Sequence, residues 1–161
     1  MNKKKMILSV AMIVLLPLLS ALMYVGYDLI RAPSIESEIV KHLLWLQFLS
    51  VFWRIIVFGI PAALIIFYGY TTGDKITSTL SGVFLIPIFD IYSSILFELL
   101  DPDFIMPSLH YWLSWNRLIN LTPPMLIYGL MGYFASRRTK ASLVVAISIG
   151  ILMVLLFLGI D

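Results

Sequence analysis

Two charged residues, Arg54 and Asp90, lie inside long apolar stretches of the sequence. An unpaired charge within a membrane segment costs at least about 2.5 kcal/mol, so each residue marks a candidate site. At about 1.5 Å per residue along two antiparallel helices, Arg54 lies about 28 Å and Asp90 about 26 Å from a turn at Gly73. The matching depths predict an Arg54–Asp90 ion pair, acting either as a structural clamp or as a switchable pair. Alternatively, the long side chain of Arg54 could reach the lipid headgroups.

Further polar residues extend this candidate site. Asp90, Ser94, Glu98 and Asp101 share one face of the predicted helix, within an arc of about 80° around its axis. This stripe could line a water-filled cavity, or Asp90 alone could be embedded while Glu98 and Asp101 lie at headgroup level. Nothing polar continues the stripe inward past Pro87, which favours a pocket over a path across the membrane. The predicted binding layer, with His110 and Arg117 at its rim and Asn120 level with Asp90, comprises Arg54, Asp90, Ser94, Glu98, His110, Asn116, Arg117 and Asn120.

The sequence predicts no catalytic centre, no metal site and no cofactor. Its two histidines, His42 and His110, lie far apart and have no metal-ligand spacing around them. The absence of cysteine excludes disulfides and cysteine-ligated metal. An enzyme acting on lipid headgroups would have to use His110 or the acidic residues as a general base, and this is the most distant interpretation.

The composition identifies the class of protein. Hydrophobic residues make up 61% of the chain and charged residues 12%, against about 45–50% and about 25% in soluble domains. The mean hydropathy of +1.00 agrees. At about 20 residues per membrane span, 161 residues hold at most five spans. A formal charge of +2 is too small to suggest nucleic acid as a partner, so the lipid bilayer is the predicted surroundings.

We therefore predict an all-α membrane protein with five transmembrane helices in one bundle, forming a single domain over residues 1–161. Interfacial helices are expected on the outer face at 35–50 and 104–116, where charged residues or aromatic rings are interspersed with apolar ones. The first apolar run exceeds the roughly 7–15 residues of a signal peptide, which favours a retained span. The spans are expected at about 6–30, 51–70, 76–100, 117–136 and 141–160.

Basic residues beside the spans predict the orientation. With a cytoplasmic N-terminus, seven Lys and Arg residues fall on the inner side and three on the outer side, which favours a multi-pass cell-membrane protein with its C-terminus outside. Ser142, Ala146 and Gly150 repeat every four residues, a spacing that lets helices approach closely. These small residues could pack within the bundle or contact other membrane subunits.

The polar layer and the small residues lead to two functional interpretations. The first is a non-catalytic membrane component, either an accessory subunit or a ligand-binding module with an outward-facing polar layer. The second is a small transporter or permease subunit that uses an Arg54–Asp90 pair. No internal repeat of the kind that builds secondary transporters is found in the sequence.

Overall fold

The computed structural model describes residues 3–31, 42–101 and 103–158, and within these ranges the chain is helical and contains no strand. The predicted all-α architecture is confirmed for this part of the chain. The elements are α1 (Lys3–Val10), a π-helical turn (Ala11–Leu15), α2 (Leu16–Arg31), α3 (His42–Thr72), α4 (Lys75–Leu100), α5 (Leu109–Trp112), α6 (Trp115–Ser136) and α7 (Lys140–Leu158).

Four helical segments are long and apolar enough to cross a membrane: Met6–Asp28, Val51–Thr72, Lys75–Leu100 and Trp115–Ser136. The apolar part of α7, Lys140–Leu155, is shorter, so the count of five spans stays a prediction. At the second predicted interfacial segment, 104–116, the only helix before α6 is the four-residue α5.

The first span contains a π-helical turn immediately before Pro17. There the backbone N–H of Leu16 donates to the carbonyl of Ala11, five residues earlier. A proline within a helix has no N–H for the carbonyl four residues back, and its ring crowds that carbonyl. The wider π turn accommodates Pro17 opposite Ile13, so that α1 and α2 continue as one rod.

The third helix corrects the prediction of a separate interfacial helix over 35–50. α3 runs without a break from His42 to Thr72, and its 31 residues extend about 46 Å. No proline or glycine occurs between 42 and 58, so the sequence contains nothing to end the helix near Ser50. Residues 35–41 of that prediction lie outside the described residues.

The helices run alternately up and down between two ends of the bundle. We call them the Gly73 end, after the α3–α4 turn, and the Asp101 end, after the residue that ends α4. α6 packs against α3, α4 and α7, and its contact with α4 is the most extensive among the described elements. α4 also packs well against α2 but much less against α3.

The backbones of α4 and α6 touch at two levels. A Cβ added to Gly82 would lie 2.1 Å from the carbonyl oxygen of Tyr128, and one added to Gly132 would lie 2.1 Å from that of Ser78. The Ser78 hydroxyl also donates to the Gly132 carbonyl at 3.0 Å. Small residues permit such contact between membrane helices. The middle of the α4–α6 interface is therefore closed by backbone against backbone.

The two turns at the Gly73 end are joined to each other. Gly73 adopts a positive φ of 66°, which glycine accepts without strain. Arg138, in the α6–α7 turn, donates from Nε to the carbonyl of Tyr70 at 3.0 Å and from Nη2 to that of Thr71. These carbonyls belong to the last turn of α3 and have no partner within the helix, so Arg138 caps α3.

The small residues of α7 pack within the chain itself. Ser142, Ala146 and Gly150 are buried. A Cβ added to Gly150 would lie 3.3 Å from the Met131 sulfur on α6 and 3.5 Å from Ile66 Cδ1 on α3. This face of α7 is therefore covered by the neighbouring helices α3 and α6.

Candidate functional site

The central feature of the candidate site is an ion pair between Asp90 on α4 and Arg117 in the first turn of α6. The Arg117 and Asp90 side chains are 25% and 20% exposed, so most of each is covered. Ser114 caps α6 by accepting the backbone N–H of Arg117 at 3.4 Å. This cap fixes the start of the helix that positions the guanidinium.

Two aromatic rings flank the guanidinium. Its central carbon lies 5.4 Å from the ring centroid of Tyr111 and 5.7 Å from that of Trp112, within the range of cation–π attraction. Both rings belong to α5, and the Trp112 indole N–H donates to the carbonyl of Pro107 at 3.2 Å. The short helix α5 therefore holds two rings against Arg117 while Asp90 binds it from α4.

The contacts between α4 and α6 explain the level of the pair. Ser78 lies opposite Gly132 and Gly82 opposite Tyr128. Continued along both helices, this register places Asp90 opposite Asn120, which agrees with their predicted common depth. Arg117 lies three residues beyond Asn120, about 4.5 Å along the helix. The long Arg117 side chain spans this distance and reaches Asp90. The Asn120 side chain is exposed and does not take part in the pair.

The prediction that Asp90 pairs with Arg54 is wrong about the partner. Equal depth does not determine which helices face each other, and α4 packs on α6 far more than on α3, which carries Arg54. Arg54 lines a different cavity, of about 100 Å³, with Tyr24, Tyr27 and Asp28 of α2 and with Trp53, Val57 and Phe58 of α3.

The α2–α3 cavity that contains Arg54 lies at the Asp101 end, and aromatic rings form much of its wall. Tyr27 stacks on Trp53 at 5.5 Å between ring centroids, and the Trp53 indole N–H donates to the carbonyl of Met23 at 2.8 Å. Asp28 contributes a carboxylate to the same lining as Arg54. The predicted polar layer is thus divided between an α4–α6 pair and an α2–α3 cavity.

The remaining predicted site residues do not join the pair. Ser94 is buried on α4, whereas Glu98, His110, Asn116 and Asn120 are exposed. In the described ranges, no ion pair or side-chain hydrogen bond links these four residues to Asp90 or Arg117. Likewise, no group of three or more His, Asp or Glu side chains among the described residues could hold a metal ion.

A polar cluster at the Gly73 end was not predicted. Asp74 caps α4, accepting the Thr77 backbone N–H at 3.0 Å and its hydroxyl at 2.8 Å. The Tyr68 hydroxyl donates to the same carboxylate at 3.3 Å and lies 3.1 Å from the Ser9 hydroxyl. Burial acts to raise the pKa of Asp74, but these hydrogen bonds outweigh it and hold that pKa below its ordinary value.

A turn with Gly73, Asp74 and then Thr77 is a pattern that predicts the helix cap. The contact with Ser9 could not be predicted, because Ser9 lies 59 residues from Tyr68 and 68 from Thr77 in the sequence. The cluster joins the first span to both helices of the Gly73 turn.

The fold and these clusters define a small helical membrane protein with polar groups near both ends of its bundle and tight packing between them. Comparison with protein-family models, curated proteins and solved structures finds no match to the chain.

Proposed function

We propose that this chain is a non-catalytic accessory subunit of a membrane assembly, oriented with its N-terminus in the cytoplasm. The observation that supports this proposal is an apolar groove of about 630 Å³ between α3 and α7. It runs from Ile55 to Tyr70 on α3, a length of about 22 Å, and from Leu143 to Leu155 on α7. The proposed occupant is one transmembrane helix of another subunit.

The shape and lining of the groove suit a helix. Gly59 and Ala63 lie four residues apart in its α3 wall, which lets a second backbone approach closely. Its length covers about three-quarters of a hydrocarbon core about 30 Å thick. No charged residue lines it, so association would depend on van der Waals packing, as it does for membrane helices in general.

The packing of the bundle gives less support to a transport role. The ion pair lies toward the Asp101 end and the Asp74 cluster at the Gly73 end, while Gly82 and Gly132 close the α4–α6 interface between them. A solute would have to separate these two backbones to pass between α4 and α6. A structural or binding role requires no such movement.

Photocrosslinking tests the proposal. A photoreactive residue at the exposed Ala63 is expected to give one discrete adduct with another membrane protein in native membranes. The same probe at Leu126, which is 58% exposed on α6 and outside the groove, provides the control. Gly59→Leu should abolish the Ala63 adduct. Gly59→Ala should preserve it, because the added Cβ would meet its nearest neighbours, Ile55 and Val154, at an ordinary 3.8 Å.

Other outcomes would contradict this assignment. Adducts with lipid alone would make the groove part of the lipid-facing surface, and adducts between two copies of the chain would make it a homodimer contact. Equal protein adducts from Ala63 and Leu126 would exclude the groove as a specific site.

A transporter subunit is the second candidate, and the ion pair embedded at Asp90 favours it. Uptake by vesicles containing the purified chain tests this alternative. Ion-coupled uptake that is lost in a folded Asp90→Asn variant and kept in Glu98→Gln would replace the accessory-subunit proposal.

A further inference from the structure

We propose that the Gly73 end binds an anionic phospholipid in a groove between α4 and α6. This groove, of about 340 Å³, is lined by Lys75, Ile76, Thr79, Leu80 and Tyr133. The surface of this groove is almost wholly apolar, and Lys75, the first residue of α4, carries a cation at its end. A phospholipid has the same arrangement, with a charged phosphate above an acyl chain.

Two cations are available to the phosphate. The Lys75 side chain lines the groove, and the Arg137 guanidinium lies 5.5 Å from the ring centroid of Tyr133, which also lines it. Both cations are exposed, and neither has an ion-pair partner among the described residues. Arg138, the next residue, is engaged by the carbonyls of α3.

Asp74, which precedes Lys75 in the sequence, forms no ion pair with either cation within the described part of the chain. Asp74 directs its carboxylate oxygens to Thr77 and Tyr68, where they cap α4. Lys140 adds another exposed positive charge at the same end but does not line the groove. Basic pockets between membrane helices are suited to anionic headgroups for this reason.

The apolar part of the groove identifies a lipid as the occupant. Ile76 is 74% exposed and Leu80 37% exposed on α4 below Lys75. An acyl chain lying along these side chains would be continuous with a phosphate at Lys75 and Arg137. A free phosphate ion would use the cations but leave this apolar surface without a role.

Lipid retention by the purified full chain tests the site. The protein is equilibrated with equal amounts of phosphatidylglycerol and phosphatidylcholine of matched chain length, and bound lipid is counted by native mass spectrometry. Two basic residues that contribute about 1 kcal/mol each should give about 25-fold preferential retention of one phosphatidylglycerol. Lys75→Gln and Arg137→Gln should each reduce the preference about fivefold, as expected for one basic residue near a membrane surface.

Matched variants separate a built site from general attraction. Lys140→Gln removes the same charge outside the groove and should leave the preference intact, while Lys75→Arg should restore most of it. Ile76→Ser keeps both cations and should weaken retention at least twofold. An equal loss in Lys140→Gln would overturn the proposal. Displacement of the lipid by millimolar inorganic phosphate would overturn it as well, because the site would then recognise the ion alone.

Discussion

The Asp90–Arg117 pair allows a quantitative test of how the Asp101 end is held together. Removing one member of a fully buried ion pair costs about 3–5 kcal/mol, and exposed pairs contribute about 0–1 kcal/mol. The side chains of this pair are 20% and 25% exposed, so we expect intermediate values. Arg117→Gln should lower the free energy of unfolding by about 2–3 kcal/mol.

Asp90→Asn should cost less than Arg117→Gln. In the Asp90 variant the guanidinium keeps its contacts with the rings of Tyr111 and Trp112. In the Arg117 variant the carboxylate loses its cation in a largely covered position. The double variant should cost less than the sum of the single variants by about 1–2 kcal/mol, because no charge is then left without its partner.

Unfolding in bicelles by titration with sodium dodecyl sulfate, followed by circular dichroism, measures these differences. Glu98→Gln is the control, since Glu98 is an exposed carboxylate on the same helix and should change little. If the single-variant costs add to within about 0.5 kcal/mol, the two side chains are not coupled and the clamp interpretation fails. A comparable loss in Glu98→Gln would show that any charge change on α4 has this effect.

Three further predictions concern the middle and the Gly73 end of the bundle. Gly82→Ala should destabilise the bundle by about 2 kcal/mol or more through overpacking, because its Cβ would meet the Tyr128 carbonyl. Gly26→Ala is the control in the same unfolding assay. It should be neutral or slightly stabilising, because the space around Gly26 is open. Asp74→Asn should cost about 1 kcal/mol near pH 7, because the amide can still cap the helix but lacks the charge that strengthens the hydrogen bonds from the Thr77 and Tyr68 hydroxyls. The pKa of Asp74 is held below its ordinary value of 3.8. The ionised carboxylate therefore stabilises the fold above pH 3.8, and this contribution is lost as the pH falls through the lowered pKa. A pH titration of the free energy of unfolding should show this loss in the wild type and not in Asp74→Asn.

The depth of a residue along its helix could be predicted from the sequence, but which helices pack against each other could not. The predicted common level of Asp90 and Asn120 agrees with the register of the glycine contacts between α4 and α6. The partner was missed because rotation about the helix axis and the order of helices in the bundle depend on packing across the chain. The reach of an arginine side chain added about 4.5 Å that a count of residues does not include.

Helix ends also differ in how well the sequence predicts them. The turn at Gly73 carries a glycine and a capping aspartate, and the helices end there as expected. His42 and Gln47 are interspersed with apolar residues, a pattern that predicts an interfacial helix, yet residues 42–50 continue α3 because no residue breaks it. A polar pattern predicts where side chains meet water and does not by itself end a helix.

The α4–α6 pair and α7 are held in the bundle by different kinds of contact. α4 and α6 are linked at Ser78–Gly132, at Gly82–Tyr128 and at Asp90–Arg117, over 12 residues of α4 or about 18 Å. Side-chain hydrogen bonds of the described part of α7 are local, between Thr139 and Ser142. The α3–α7 groove is lined by residues of α3 and α7 alone, so a helix bound in it would touch none of these three links. A partner bound in the groove therefore need not disturb the Asp90–Arg117 pair.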